Sequence, residues 1–301
     1  MPERSWPPGR TSLGWAGGKE GANASSARRA EGLVRAAGGG ERLDWNGVEL
    51  ASHFQPIYCV RQAGCHGYEA LVRAADANGG TIVPESLFSS LLGVQRARLD
   101  WACRALHLRN YAVVDPGDRT LFLNVHPEAA VHDARCEPGF GQLIRYYGLV
   151  PKRVCVEILE APCTDEALLG EAIAAYRDMG ASIAMDDFGV GRSNFDRVIA
   201  LRPDIVKIDR SILASAVGQA KAGRMLPAII GLLHQTGARV AIEGIETANE
   251  ALIAIDAGAD YLQGFYFAVP RKGLADEALS TGIIDKLVRL GGHSPHAPLA
   301  G

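Results

Sequence analysis

The sequence predicts an α/β fold, a (β/α)8 barrel modified by an irregular, antiparallel first strand. Eight short apolar or β-branched runs alternate along the chain with segments of helical periodicity, and this alternation favours a parallel sheet that closes into a barrel of the TIM type. Only the first two runs have no helical segment between them. Their link, 61-RQAGC-65, has room for a hairpin and not for a crossover helix.

Each predicted strand is a run of four to ten residues bounded by polar or turn-forming residues. The eight runs are 53-HFQPIYCV-60, 66-HGYEALVRA-74, 121-LFLNV-125, 154-VCVEI-158, 182-SIAMDDF-188, 204-DIVKID-209, 239-RVAIEGI-245 and 260-DYLQGFYF-267. Helices are predicted between them, for example over 95–112, 165–180 and 220–237. Gly180 and Gly237 lie where helix C-caps are expected, and 193-SNFD-196 matches a capping box.

Both ends of the chain differ in composition from the predicted barrel, which spans residues 43–290. Residues 1–42 are rich in Gly, Ala, Arg and Ser and contain few large aliphatic residues, so we predict a disordered tail that is a candidate contact for an unidentified protein partner. Residues 291–301 are predicted to form a second flexible tail.

The charge and cysteine content exclude several classes of protein. A formal net charge of −3 and a pI near 6.3 argue against a nucleic-acid-binding surface. The six cysteines form no C-x-x-C pair, which argues against a zinc or redox motif and favours reduced thiols. No apolar stretch has the length of a membrane span or a secretory signal, so we expect a cytoplasmic protein with no membrane contact.

Seven consecutive predicted strands each carry a polar residue in or near their C-terminal end. In barrels of this class the strand C-termini and the loops after them build the active site, so these side chains are expected to converge in one ring. The ring consists of Glu69, Asn124, Glu157, Asp186 with Asp187, Lys207, Glu243 and Gln263.

The paired carboxylates of Asp186 and Asp187 pose a separate problem. Neighbouring residues of a strand point to opposite faces, so one of the two would enter a dry layer. We expect the strand to end and the chain to turn there, so that both carboxylates reach the same site.

So many carboxylates in one ring would repel each other unless cations lay among them. Oxygen ligands select hard divalent ions, so we expect Mg²⁺ or Mn²⁺, and adjacent Asp residues can bridge two ions in the arrangement used for phosphodiester cleavage. Lys207 is a candidate to hold the attacking water or stabilise negative charge, and Glu243 to bind metal or accept a proton. Arg73 either binds a substrate phosphate or forms a surface ion pair.

With these residues in place, the chain resembles the EAL domain family of cyclic di-GMP phosphodiesterases. The family's name-giving motif is present as 69-EALVR-73, and the resemblance covers about residues 46–288. Further family motifs occur in the family's order, at 55-QPI-57, 124-NVHP-127, 157-EILE-160, 186-DDFGVG-191, 203-PDIVKID-209, 243-EGIE-246 and 263-QGFYF-267.

The resemblance implies hydrolysis of cyclic di-GMP to linear pGpG with two Mg²⁺ or Mn²⁺ ions. It places the metal ligands at Glu69, Asn124, Glu157, Asp186, Asp187 and Glu243. It places catalytic roles at Lys207, Glu243, Asp187 and Gln263, and substrate contacts at Gln55, Glu69, Leu71 and Arg73. Glu160 corresponds to the glutamate that steadies the loop after the paired Asp residues, and the family's habit of pairing near that loop implies a homodimer.

The chain departs from the family in the loop that follows Asp187. The usual DDFGTGYSS reads DDFGVGRSN here, so Val190, Arg192 and Asn194 replace Thr, Tyr and Ser. Elsewhere in the chain, Val269 replaces the basic residue that is usual before Pro270. No metal ligand is lost. Two alternatives therefore remain open at this point: a weakly active or inactive receptor that binds cyclic di-GMP and acts through a partner, and a regulatory protein that no longer binds the nucleotide.

Overall fold

The structure is a computed structural model, and its described residues form an eight-stranded closed barrel surrounded by helices. It describes residues 33–36, 40–114, 117–133, 139–161, 163, 165–190, 194–218, 220–275 and 277–290. Within these residues, no helix combines the length and the apolar character that crossing a bilayer requires.

Eleven strands are present in the described residues, and eight of them close the barrel. The strands are β1 (Leu33–Ala36), β2 (Gly40–Trp45), β3 (Val48–Cys59), β4 (Gly64–Ala75), β5 (Thr81–Ile82), β6 (Thr120–Val125), β7 (Val154–Ile158), β8 (Ser182–Phe188), β9 (Ile205–Ile208), β10 (Arg239–Ile242) and β11 (Tyr261–Leu262). The barrel order is β3-β11-β10-β9-β8-β7-β6-β4, and β3 also pairs with β4. This confirms the predicted fold class.

Ten α-helices connect or flank these strands in the described part of the chain. They are α1 (Pro84–Ser89), α2 (Val94–Val114), α3 (Pro127–Asp133), α4 (Phe140–Tyr146), α5 (Glu166–Asp178), α6 (Asn194–Leu201), α7 (Arg210–Gly218), α8 (Ala220–Gln235), α9 (Ala248–Asp256) and α10 (Glu277–Leu290). Gly180 and Gly237 have the positive φ angles expected after a helix, 99° and 89°. The capping box predicted at residues 193–196 begins outside the described residues, whereas a complete one opens α9 at Thr247 and Glu250.

The irregular first strand of the barrel is β3. It is antiparallel to both of its neighbours, β4 and β11, whereas the remaining barrel strands pair in parallel. A register shift interrupts the β3–β4 ladder between Ile57 and Tyr58. Both strands continue beyond the barrel rim as a hairpin, because β4 pairs with β6 only over Gly67–Ala70. This hairpin raises one wall of the barrel above the polar ring.

Four predicted boundaries differ most from the structure, and one of them is the start of β3 at Val48, five residues before the predicted start at His53. Most of the predicted tail 1–42 lies outside the described residues, but 33–36 and 40–42 lie in β1 and β2, where β2 extends the sheet by pairing with β3. The strand predicted over 239–245 ends at Ile242, and the one over 260–267 ends at Leu262. Residues after Leu262 form a turn: the amide of Tyr266 donates to the carbonyl of Ile245 and that of Phe267 to Gly264, so these aromatic residues are not in a strand.

Inside the barrel, each strand contributes to two stacked layers. The lower layer is apolar or small and contains Ile57, Phe122, Cys155, Ala184, Ile205, Ala241 and Tyr261. Each of these positions has a polar residue two places away along the chain and on the same face. These polar residues form the upper layer. The upper layer contains Gln55, Asn124, Glu157, Asp186, Lys207, Glu243 and Gln263, and β4 adds Glu69 above Gly67. The apolar layer closes the bottom of the polar ring.

A buried ion-pair network outside the barrel holds the helices in place around it. Nε of Arg104 lies 2.6 Å from Oδ1 of Asp100, and its Nη1 and Nη2 lie 2.5 and 3.1 Å from the carboxylate of Asp133. The hydroxyl of Tyr176 donates to Asp133 at 2.5 Å, and the amide of His126 donates to Asp100 at 2.9 Å. The network therefore joins α2, α3, α5 and the loop that follows β6.

Replacing Arg104 by methionine is expected to destabilise the fold by about 3–5 kcal/mol, because it leaves two buried carboxylates without their counter-charge. The free energy of unfolding in urea measures this change. The control is Arg42→Met, which removes only the solvent-exposed ion pair with Glu49 and is expected to cost less than about 1 kcal/mol. Equal effects of the two replacements would show that the buried network is not a main support of the barrel.

Candidate active site

Lys207 lies at the centre of the polar ring and is almost completely buried, with 1% of its surface exposed. Its Nζ lies 2.5 Å from Glu243, 2.9 Å from Glu157, and 3.3 Å from both Glu69 and Asp186. These four carboxylates come from four different strands or the loops after them. One ammonium group therefore faces four carboxylates, and the ring keeps an excess of negative charge.

Burial and the neighbouring charges both shift the pKa values of the ring residues. Burial raises the pKa of Glu157 and of Glu243 well above the usual value, although Lys207 opposes the shift. Burial and then the neighbouring Asp186 raise the pKa of Asp187 to about 6. Burial lowers the pKa of Lys207, but its carboxylate neighbours outweigh burial and raise it well above the usual value. A single lysine thus does not neutralise the ring, and further cations would stabilise the ionised carboxylates.

Asp186 and Asp187 reach the same site through an irregularity in β8. The register with β9 shifts between Met185 and Phe188, and Asp187 adopts a φ of 55°, which is uncommon for a residue other than glycine. The strand continues to Phe188, so the chain turns by a bulge within the strand and not by ending it, as the sequence had suggested. The structure places the carboxylates of Asp186 and Asp187 in one group with that of Glu243.

Two groups of carboxylates could each hold a metal ion, and both include Asp186. One group is Glu69, Glu157 and Asp186, and the other is Asp186, Asp187 and Glu243. Within each group the candidate ligand atoms lie within 4.8 Å of one another. A carboxylate shared between two groups is suited to bridge a pair of divalent ions.

The amide side chains of the ring orient Glu69. Nδ2 of Asn124 donates to Oε1 of Glu69 at 2.7 Å, and Nε2 of Gln263 donates to Oε2 at 2.6 Å. Burial raises the pKa of Glu69, but Lys207 and these hydrogen bonds lower it below the usual value. Oδ1 of Asn124 is buried and has no hydrogen-bond partner among the described residues. An unused acceptor beside carboxylate oxygens fits a hard divalent ion such as Mg²⁺, Mn²⁺ or Ca²⁺.

The backbone next to Gln263 packs closely against the backbone of Ile245. A Cβ on Gly264 would overlap the backbone of Ile245, and the amide of Ile245 donates to the carbonyl of Gln263 at 3.1 Å. The loops after β10 and β11 are therefore in direct backbone contact, and this contact sets the position of the Gln263 amide.

The other predicted site residues lie around the ring. Gln55 receives a hydrogen bond from Nε2 of Gln263 at 3.2 Å, which places it at the edge of the ring. Leu71 and Arg73 follow Glu69 on the same face of β4 and are half-buried on the raised hairpin. The Nη1 of Arg73 donates to the carbonyl of Val72 at 2.9 Å, so Arg73 is not in the carboxylate cluster. Glu160 is half-buried two residues beyond β7.

Of the three replaced positions in the loop after Asp187, only the side chain of Val190 is described. It is 63% exposed, and its amide donates to the carbonyl of Asp187 at 3.2 Å. Arg192 lies outside the described residues, and of Asn194 only the backbone at the start of α6 is described.

His53 is a rim residue that the sequence analysis did not single out. It lies two residues before Gln55 on β3 and therefore on the same face, and its Nδ1 lies 3.3 Å from the carbonyl oxygen of Pro270. Strand alternation was the available signal, because the predicted strand 53–60 already places His53 and Gln55 on one face.

The fold and the ring together define a barrel protein whose buried polar cup offers oxygen ligands to divalent cations. The EAL domain family model matches residues 43–270. The chain belongs to the EAL domain family.

Known relatives agree with this assignment. The cyclic di-GMP phosphodiesterase RocR of Pseudomonas aeruginosa is 26% identical over 227 residues, which are 74% of this chain and 57% of RocR. The structure of Bacillus subtilis YkuI, solved with cyclic di-GMP and calcium, aligns with a TM-score of 0.70 at 24% identity and covers 80% of this chain and 61% of YkuI. The manganese and cyclic di-GMP complex of Klebsiella pneumoniae BlrP1 aligns with a TM-score of 0.66 at 23% identity, over 74% of this chain and 56% of BlrP1. The chain thus spans less than two thirds of each of these proteins.

Proposed function

We propose that this chain is a metal-dependent phosphodiesterase that hydrolyses one phosphodiester bond of cyclic di-GMP and releases linear pGpG. The observation that carries the proposal is the ring itself, in which one buried lysine faces four carboxylates and Asp186 belongs to two groups of oxygen ligands. The naming of a relative as a cyclic di-GMP phosphodiesterase supports the choice of substrate.

The metal ligands in this proposal are the carboxylates of the ring together with the unused acceptor of Asn124. They are Glu69, Asn124, Glu157, Asp186, Asp187 and Glu243. Two Mg²⁺ or Mn²⁺ ions bound there would lower the pKa of a water molecule and neutralise charge on the substrate phosphate.

The remaining roles in the ring are to orient the metal ligands, to stabilise negative charge and to accept a proton. Lys207 stays protonated and holds its carboxylate neighbours at fixed distances, and its positive charge favours the negative charge that develops on the phosphate. Glu243 is partly exposed at the mouth of the cup, where its carboxylate is placed to accept a proton. Gln263 positions Glu69 through its 2.6 Å hydrogen bond.

Substrate contacts are proposed along the raised wall of the barrel. Gln55 and Leu71 face the space above the ring, and Arg73 lies four residues beyond Glu69 on the same face of β4, roughly 13 Å along the strand. A cyclic dinucleotide is large enough to reach from the ring to this wall, where the guanidinium of Arg73 would bind a phosphate or base oxygen.

We also propose that the chain forms a homodimer through the surface near α6. Phe195 and Ile199 on α6 and Val190 before it expose 37%, 66% and 63% of their surface, an unusual amount for large apolar residues of one segment. Glu160 is proposed to steady the loop that follows Asp186 and Asp187 and leads to this surface.

Replacing Glu69 by alanine is expected to reduce turnover of cyclic di-GMP by more than about a hundredfold, since loss of even an outer-shell partner of a metal commonly costs ~10–100-fold. The measurement is pGpG release from cyclic di-GMP with Mg²⁺ and with Mn²⁺, followed by chromatography. Chelation of the metal should stop the wild-type reaction, and Glu171→Ala, which removes an exposed carboxylate of α5, should not change it.

Wild-type protein that binds cyclic di-GMP without cleaving it would overturn the proposed activity and favour a receptor. Absence of binding would instead favour a regulatory protein that acts through contacts alone.

Replacing Ile199 by glutamate is expected to convert the dimer into a monomer, because the new carboxylate would be buried without a partner in the interface. Sedimentation of the wild-type and variant proteins at micromolar concentration measures this change. Val113→Glu, which alters an exposed apolar residue of α2, serves as the control and should leave the dimer intact. A wild-type monomer, or a variant that still dimerises, would contradict the proposed interface.

A further inference from the structure

His53 lies on the inner face of the raised hairpin, above the polar ring. In the β3–β4 ladder Gln55 is opposite Glu69, and His53 is opposite Leu71. Because side chains two residues apart share a face of a strand, His53 and Gln55 both face the space where the substrate is proposed to bind. His53 is half-buried and is neither a proposed metal ligand nor in contact with the carboxylates described above.

The loop after β11 fixes the imidazole of His53 in one orientation. This loop runs antiparallel to β3, with the amide of Phe54 donating to the carbonyl of Arg271 at 2.7 Å and the amide of Arg271 donating back at 3.2 Å. On the inner face, Nε2 of Gln55 donates to the carbonyl of Ala268 at 3.1 Å, and Nδ1 of His53 lies 3.3 Å from the carbonyl oxygen of Pro270.

This contact determines which imidazole nitrogen can accept a hydrogen bond. A carbonyl oxygen only accepts, so Nδ1 of His53 must carry the proton in its contact with Pro270. Burial and the charge of Arg73 lower the pKa of His53, the hydrogen bond with Pro270 opposes them, and the net shift is downward, which favours the neutral ring. In a neutral ring with a protonated Nδ1, Nε2 is an acceptor.

Two cationic side chains, those of Arg73 and Lys272, are near enough to His53 for their charges to lower its pKa. Arg73 lies on the same face of the hairpin, two residues beyond Leu71, and Lys272 follows Pro270 by two residues in the adjoining loop. The rim thus offers a hydrogen-bond acceptor beside positively charged donors. Guanine presents the complementary pair on its Watson–Crick edge, the N1–H donor next to the O6 acceptor. Adenine presents the opposite polarity at both positions, an N1 acceptor next to an N6 amino donor.

We infer that His53 is a specificity-determining residue whose Nε2 accepts a hydrogen bond from N1–H of a guanine base, while the flanking cations donate to O6 of the same base. This inference rests on the proposed function, because it concerns how the same site would recognise its cyclic dinucleotide. It explains how the rim could reject an adenine dinucleotide, which would leave Nε2 facing another acceptor and the cations facing an amino group.

Two replacements of His53 separate recognition of the base from a purely structural role. The amide of asparagine lies near the position of Nδ1, so His53→Asn can keep the hydrogen bond to Pro270 but lacks the acceptor at Nε2. The amide of glutamine extends to the position of Nε2, so His53→Gln can restore that acceptor. The surface variant His234→Asn is the control for loss of a histidine, since His234 contacts Asp260 outside the site.

The experiment is calorimetric binding of cyclic di-GMP and of cyclic di-AMP to the full chain in the presence of Ca²⁺. The wild type and His234→Asn should favour cyclic di-GMP by at least about a hundredfold. His53→Asn should weaken binding of cyclic di-GMP roughly tenfold without weakening binding of cyclic di-AMP. His53→Gln should recover most of the preference for cyclic di-GMP.

Three outcomes would overturn the inference. If His53→Asn keeps the guanine preference and His53→Gln loses it, the histidine only anchors the loop through Pro270. If neither replacement changes the preference, His53 does not contact the base, and the proposed function stands without it. If the wild type binds neither nucleotide, both the inference and the proposed function fail.

Discussion

Among the described residues, the ammonium group of Lys207 is the one positive charge in contact with the four carboxylates, and the upper layer of the barrel depends on this imbalance. Each carboxylate is held on a strand, or in the case of Glu243 directly after one, and the apolar residues of these strands fill the layer below, which restricts its movement away from the others. Burial makes their repulsion strong, since water does not screen it. Burial raises the pKa values of Glu157 and Glu243 well above the usual value, and the neighbouring carboxylates add to this shift while the lysine opposes it. The protein is thereby prepared to take up further positive charge at this position.

The bulge at Asp187 and the antiparallel strand β3 both serve this arrangement. A regular strand would direct Asp187 away from the barrel interior, and the positive φ of 55° brings it to the group that contains Asp186 and Glu243. Because β3 runs antiparallel to β4, the two strands form a hairpin that rises above the ring. The hairpin and the loop at Pro270 form a wall that a barrel of eight parallel strands would lack. The wall provides the polar and cationic groups of the rim.

The sequence predicted the fold and the ring because the relevant patterns are local. A polar residue in an apolar run, such as Glu157 in VCVEI, is visible in the sequence, and the alternation of strands and helices places such residues at one end of a barrel. The sequence did not predict where β11 ends, because Phe265 and its neighbours have the composition of a strand. The contact between Gly264 and Ile245, at which the chain turns, joins loops after two different strands and is not a local pattern. Strand alternation places His53 on the same face as Gln55, but its contact with the carbonyl of Pro270 joins segments distant in sequence and could not be assigned from local pattern.

Anomalous diffraction at the manganese edge, from crystals of the protein grown with Mn²⁺, would test the account of the ring most directly. We expect two peaks in the cup, roughly 3.5–4 Å apart, with Asp186 in contact with both and Oδ1 of Asn124 bound to one of them. It would be contradicted by a cup that holds no manganese while Lys207 keeps all four carboxylate contacts. That result would show that the lysine alone is sufficient to balance the ring.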